Sequence, residues 1–180
     1  MDNLSNQNWN FIEYLKINAP ERTVSAKTLL LSEGEIAKNV FIIKKGCLRM
    51  WFNKDGKDIT MQFFLENSAV ASIDSFISGE PSLFNIESVE PCELMIIDKA
   101  LFEDIQRVSP DFSQRFNKIL FQRFRNYAQL FLSRIRDTPQ ERYEALIKEH
   151  PEIIQRIPQH YIASYLGITP ISLSRIRNRL

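Results

Sequence analysis

The last twelve residues gather the side chains best suited to binding a polyanion: Thr169, Ser172, Ser174, Arg175, Arg177 and Arg179 all fall between Thr169 and Leu180. An arginine guanidinium is a planar fork that can donate two hydrogen bonds to guanine O6 and N7, a match lysine does not reproduce. Hydroxyls and free amides in the first turn of a helix suit phosphate oxygens. Arg175 is therefore the candidate base reader and Thr169 and Ser172 are candidate phosphate contacts. Ser174, Arg177 and Arg179 complete the candidate DNA-binding set. A solvated helix face would have the same composition, so the spacing of the neighbouring apolar residues has to decide.

That spacing predicts two short helices joined at a glycine. Ile162, Ala163 and Leu166 give the first helix an inner face, and Ala163 is small enough for a second helix to cross closely. Gly167 supplies the left-handed residue that ends it. Thr169 then caps a helix starting at Pro170, with Leu173 and Ile176 turned inward and the serines and arginines left outside. This is the layout of a helix-turn-helix, whose second helix enters the major groove. Upstream, Thr138, Pro139 and Glu141 predict a capping box, followed by Tyr143, Leu146 and Ile147 as core-facing residues.

Between Ser109 and Pro139 the sequence predicts one long helix over 110–136, about 40 Å at ~1.5 Å per residue. Ser109 is placed as its cap and Pro110 at its first position. Such a helix carries more apolar surface than one small neighbour can cover. Phe116, Leu120, Phe124, Tyr127 and Phe131 are the candidate dimerisation residues, packing against a second copy of the chain. The alternative is an ordinary internal core helix.

The front of the chain has a different periodicity. After a short helix around Trp9 to Leu15, β-prone runs cover 28–31, 40–43, 47–52, 59–64, 68–70, 84–89 and 92–97, separated by turn formers such as Lys45-Gly46 and Asp55-Gly56. Many short strands at this spacing predict a sandwich or rolled barrel, because their inner faces must share a core. Asp98 is a plausible cap for a short helix over 99–105.

Composition sets the outer limits. With 44% hydrophobic residues the chain should fold. Residues 1–110 hold 11 Lys or Arg against 16 Asp or Glu, whereas residues 111–180 hold 12 against 6. A basic C-terminal part beside an acidic front suits a nucleic-acid module joined to a domain that need not approach phosphate. Cys47 and Cys92 lie too far apart for a redox pair or a four-cysteine metal site, and are read as small buried hydrophobes. The sequence shows neither a long apolar run nor a basic-then-apolar leader, so it predicts a soluble cytoplasmic protein with no membrane partner. No carboxylate pair, nucleophile with base, or metal-ligand spacing points to an enzyme, and no cofactor is implied.

Two groups of residues carry a family resemblance: the C-terminal run from Pro158 to Pro170, and the glycine-punctuated run from Glu33-Gly34-Glu35 through Lys45-Gly46 to Lys54-Asp55-Gly56-Lys57. The sequence resembles the Crp/Fnr class of bacterial regulators, the cyclic-AMP receptor protein type, and more closely its Bacteroidetes versions. The resemblance implies an α+β chain in three parts: a cyclic-nucleotide-binding-like β roll of jelly-roll type over 1–108, a dimerisation helix over 109–137, and a winged helix-turn-helix over 138–180. Whether a wing follows the reading helix is left open at Leu180. The implied partners are double-stranded DNA, a second copy of the chain, RNA polymerase and an unknown small-molecule effector.

The departures from the family are informative. Members that bind cyclic AMP carry a Phe-Gly-Glu-Leu segment followed by Arg-Ser/Thr-Ala, the arginine holding the phosphate. Here Ser72, Asp74 and Ser82 mark the corresponding, degenerate effector pocket. Ser82 stands in the arginine's place, so a buried phosphate would lack its charged partner and cyclic AMP is not expected to bind. Two cysteines cannot hold the iron-sulfur cluster of another branch. His150 and His160 leave a haem branch open, although His160 reads as a surface or structural residue. Pro170 and Ile171 replace an arginine and a glutamate of the cyclic-AMP receptor, so its half-site does not carry over. The rival reading is a non-catalytic ligand-binding or protein-interaction module whose C-terminal helices do not read DNA.

Overall fold

The structure is a computed structural model that describes residues 11–109 and 112–179. Trp9, Asn10, Pro110, Asp111 and Leu180, on which parts of the expectations above rest, lie outside the described residues. Helix α1 (Phe11–Asn18) leads into eight strands: β1 (Glu21–Val24), β2 (Leu29–Leu31), β3 (Asn39–Lys45), β4 (Leu48–Lys54), β5 (Lys57–Phe64), β6 (Ala69–Val70), β7 (Asn85–Ser88) and β8 (Cys92–Asp98). A short helix, α2 (Ile73–Ser78), separates β6 from β7. The strands form two antiparallel four-stranded sheets, ordered β1-β8-β3-β6 and β2-β7-β4-β5. This is the rolled pair of sheets that the strand spacing predicts, in the α+β class that the resemblance implies.

The turn chemistry explains the local geometry. Asp55 (φ 52°) and Gly56 (φ 79°) close the β4–β5 hairpin, with Lys54 opposite Lys57. Gly46, at φ 101°, turns the chain between β3 and β4 where a Cβ would lie 2.6 Å from both Pro91 O and Cys92 Sγ. Only glycine fits that corner. On β4, Leu48 and Met50 point into the roll, where Phe41, Phe64, Phe76, Ile86 and Leu94 fill the space between the sheets. The intervening Arg49 points to the outer face of the second sheet, opposite Phe63 on one side and Glu87 on the other.

Two elements were not anticipated. Strand β1, Glu-Arg-Thr-Val, lacks apolar alternation and pairs only at a sheet edge with β8. Helix α2 has six residues and no side-chain cap, so it carries little local signal. Helix α3 (Lys99–Val108) starts as expected, the Leu101 amide donating to Asp98 Oδ1 at 2.8 Å.

Helix α4 (Phe112–Arg136) runs for 25 residues, about 37 Å at ~1.5 Å per residue. Its two long faces differ. Phe112 is buried and stacks with Phe116, and both meet Phe102 edge-on at 5.3 Å. Phe116, Leu120 and Tyr127 follow on this covered side. The other side leaves Phe121 75%, Phe124 73%, Phe131 64%, Leu132 55% and Ile135 69% exposed. Of the five residues expected to meet a second copy, Phe116, Leu120 and Tyr127 are half-buried, whereas Phe124 and Phe131 are exposed beside Phe121, Leu132 and Ile135. With 3.6 residues per turn the five expected residues fall within an arc of about 80°, which straddles the boundary between the covered and the open side.

Candidate nucleic-acid interface

Four helices follow α4: α5 (Pro139–Glu149), α6 (Pro151–Arg156), α7 (Gln159–Leu166) and α8 (Pro170–Arg177). The capping box that starts α5 is complete, with Thr138 accepting from the Glu141 amide and Glu141 accepting from the Thr138 amide. Tyr143 and Leu146 are buried as expected; Ile147 is not, being 38% exposed on the far edge of the helix.

Helices α7 and α8 cross at Ala163, which is fully buried beside Ile162, Leu166 and Leu173. Gly167 ends α7 in the left-handed conformation at φ 70°. Two guanidinium groups satisfy the last carbonyls of α7: Arg142 donates to Leu166 O at 2.9 Å and Arg134, at the end of α4, donates to Tyr165 O. Cations there also complement the helix dipole. The turn is thus anchored from α4 as well as from α5.

Helix α8 is capped by Thr169, whose Oγ1 accepts from the Ser172 amide at 3.1 Å and lies 3.0 Å from Ser172 Oγ. Both hydroxyls are engaged with each other, at the helix end that attracts anions. Leu173 is 1% exposed and Ile176 packs on the same core. Ser174, Arg175, Arg177 and Arg179 are exposed. The helix period puts Ile171, Ser174, Arg175 and Asn178 on one outward face. Ile171, 67% exposed, and Asn178 were missed at the sequence level, although they lie four and three residues from Arg175.

The C-terminal helices are docked on the outer face of the second sheet. Arg49, 1% exposed, donates to Asp58 at 2.8 Å and to Glu87 at 3.4 Å, and its guanidinium lies 3.8 Å from the Tyr161 ring centre. Ser164 Oγ accepts from the Thr60 amide at 2.9 Å and donates to Asp58 O at 2.7 Å, tying α7 to β5. Arg156 forms a fork with Glu66 at 2.9 and 2.7 Å and also reaches Glu90. The Arg156 hydrogen bonds hold the Glu66 carboxyl down at about 2. Phe63 packs on Tyr165 with ring centres 5.4 Å apart. Cys47, Phe63 and Val89 of the roll share a core with α5–α8, and burial there pushes the Cys47 thiol up to about 12.

The three residues expected at the effector pocket differ in burial. Ser82 is buried, and its hydroxyl donates to Phe84 O at 2.8 Å and accepts from the Phe84 amide at 3.1 Å. Ser72 is buried just before α2, while Asp74 is exposed. None of the three lines the large cleft beside α4. His160 is exposed and lies against the Tyr161 ring at 4.0 Å.

Residues 21–108 match the cyclic nucleotide-binding domain. The match runs from the first residue of β1 to the last of α3, so this domain takes in both sheets. Patatin-like phospholipase domain-containing protein 7 of Mus musculus is 29% identical over 89 residues, and its Rattus norvegicus counterpart 28%. The match covers 49% of this chain and 7% of either relative, so the likeness concerns this domain alone. Whole-chain likeness comes from solved structures. FixK2 from Bradyrhizobium japonicum has a TM-score of 0.78 at 18% identity, covering 90% of this chain and 84% of its own. CLP, the c-di-GMP responsive global regulator of Xanthomonas campestris, has 0.76 at 16%, covering 93% and 89%. A CooA variant from Carboxydothermus hydrogenoformans has 0.72 at 18%, covering 98% and 81%. The chain shares the fold of these three structures, with a cyclic nucleotide-binding domain in front of a long helix and a helical C-terminal unit. Among the described residues no helix is long and apolar enough to cross a membrane.

Proposed function

We propose that the chain is a sequence-specific DNA-binding transcription regulator that acts as a homodimer. The observation that carries this reading is α8 itself: Leu173 pins it while Ser174, Arg175 and Asn178 face outward beside Ile171. In this reading Arg175 forks onto guanine, Ile171 and Ser174 meet neighbouring base edges, and Arg177 and Arg179 lie against phosphates with the Thr169–Ser172 end of the helix. The stripe of Phe121, Phe124, Phe131 and Ile135 meets its own copy across a two-fold axis, which would place two α8 helices on successive half-sites. The cyclic nucleotide-binding domain serves as the sensor. With the Ser82 hydroxyl committed to Phe84 and no arginine in its place, cyclic AMP is not its effector.

Gel shift against the DNA upstream of the chain's own gene, at two salt concentrations, tests the reading. A specific complex should weaken steeply with salt, and Arg175→Ala should cost it about 1–3 kcal/mol. Binding that is equally strong to any duplex and indifferent to Arg175 would instead favour a protein-interaction role for the C-terminal helices.

A further inference from the structure

A cleft of about 1240 Å³ opens where the roll, α4 and the C-terminal helices meet. Arg123 of α4 reaches into it from one side. Its Nη2 donates to Ala69 O at 2.7 Å, and its guanidinium lies 4.6 Å from the Phe64 ring centre. A guanidinium has five N–H donors, and a backbone carbonyl with an aromatic face leaves most of them unanswered. No carboxylate among the described residues pairs with it, and burial lowers its basicity. In the same lining Gln62 Oε1 is buried with no donor. The acidic residues of the lining are already occupied, Glu21 with Lys44 and Glu152 with His150. Lys118 adds a further positive charge to the lining.

We propose that this cleft binds a small organic anion, with its carboxylate or phosphate on Arg123 and Lys118, an apolar body along Phe64, and an O–H or N–H facing Gln62. Arginine is the side chain that best matches a planar or tetrahedral oxyanion, and a half-buried guanidinium with most donors unmet is one that such a ligand would satisfy. The cleft is formed apart from the segments holding Ser72 and Ser82, where the resemblance puts a nucleotide. On α4 it takes residues 118, 119, 122, 123 and 126, on the side away from Phe124 and Phe131, so covering the apolar stripe leaves it open. A bound anion would touch the roll, α4 and, through Ile153 and Tyr165, the C-terminal helices. As a binding site this needs nothing from the DNA reading; as the site of the effector it rests on that reading.

Calorimetric titration of the full chain with octanoate, octyl phosphate and 1-octanol, without DNA, tests the site. The expected result is saturable one-to-one binding of at least one anion and at least tenfold weaker binding of the uncharged alcohol. Preference between the two anions identifies the headgroup. Arg123→Gln should weaken anion binding at least tenfold and Arg123→Lys should restore part of it. Lys118→Gln, on an exposed residue that cannot unfold the domain, should weaken it several-fold, and Phe124→Ser should leave it unchanged. Equal binding of alcohol and anions, or anion binding indifferent to Lys118→Gln and Arg123→Gln, would overturn the proposal. Gel shift of the same samples separates the two ideas, because anion binding with no DNA complex removes only the regulator reading, and the reverse removes only this site.

Discussion

The molecule has two hydrophobic cores built on different terms. The core inside the roll joins both sheets to α1, α2, α3 and the start of α4, and is held together by apolar area and edge-to-face aromatic rings. The second core is shared: Cys47, Phe63 and Val89 on the outside of the roll meet Tyr143, Ile153, Ile162 and Leu173 from the C-terminal helices. Around that second core stand the directional contacts, namely Arg49 beneath Tyr161, Ser164 on β5 and Arg156 on Glu66. Apolar area does not titrate, whereas ion pairs weaken when a partner is neutralised and are screened by salt. The C-terminal helices are therefore seated by apolar area and directional contacts together, whereas the inner core of the roll rests mainly on apolar area.

The largest perturbation of that contrast should come from Arg49→Ala. It removes a buried guanidinium and leaves Glu87 without its charge partner, and breaking a buried pair costs about 3–5 kcal/mol. Chemical denaturation should show the loss, and amide exchange should show it first in α7. A loss confined to the roll's inner strands would mean that the two cores are not distinct. Next comes the open stripe. Phe124→Ser and Phe131→Ser should each weaken self-association by about 2 kcal/mol, the value of burying an aromatic side chain, with the monomer's melting unchanged. Sedimentation equilibrium reads both variants, and unchanged association would assign the stripe to another partner. The smallest effect belongs to Glu66→Gln, about 0.5–1 kcal/mol for a partly exposed ion pair. Glu66 titrates near 2 when folded, against an ordinary 4.5, so its contribution is complete above pH 4.5 and fades as pH falls toward 2. Wild type and variant should converge in acid, and a constant difference would place the effect elsewhere.

Features set by a few neighbouring residues were legible in the sequence. Asp55-Gly56 forms its hairpin, Thr138 and Glu141 close their box, and Leu173 and Ile176 turn inward. Each follows from turn, cap or periodicity chemistry within a handful of positions. What was hidden depends on distant partners. Ser164 is 104 residues from Thr60, and Arg156 is 90 from Glu66. Neither serine nor arginine signals in its own neighbourhood that it will fasten one part of the chain to another. The exposed stripe on α4 was half legible: apolar spacing identified a helix with surplus surface, but which side the roll takes depends on where Phe102 and Phe112 stack. Arg123 sits in that helix like any surface arginine, and only the fold shows that its surroundings are apolar.

Gly46 links these two regimes. Its amide donates to Glu66 Oε1 at 2.8 Å, the same carboxylate that grips Arg156, and its missing side chain is what lets the chain pass against Pro91 and Cys92. A single methyl group at that corner would push the carboxylate and its neighbouring strand out of line. A fault more than a hundred residues away in sequence would then reach the helix that carries Arg175, making this glycine corner of the roll a fixed reference for where the other end of the molecule sits.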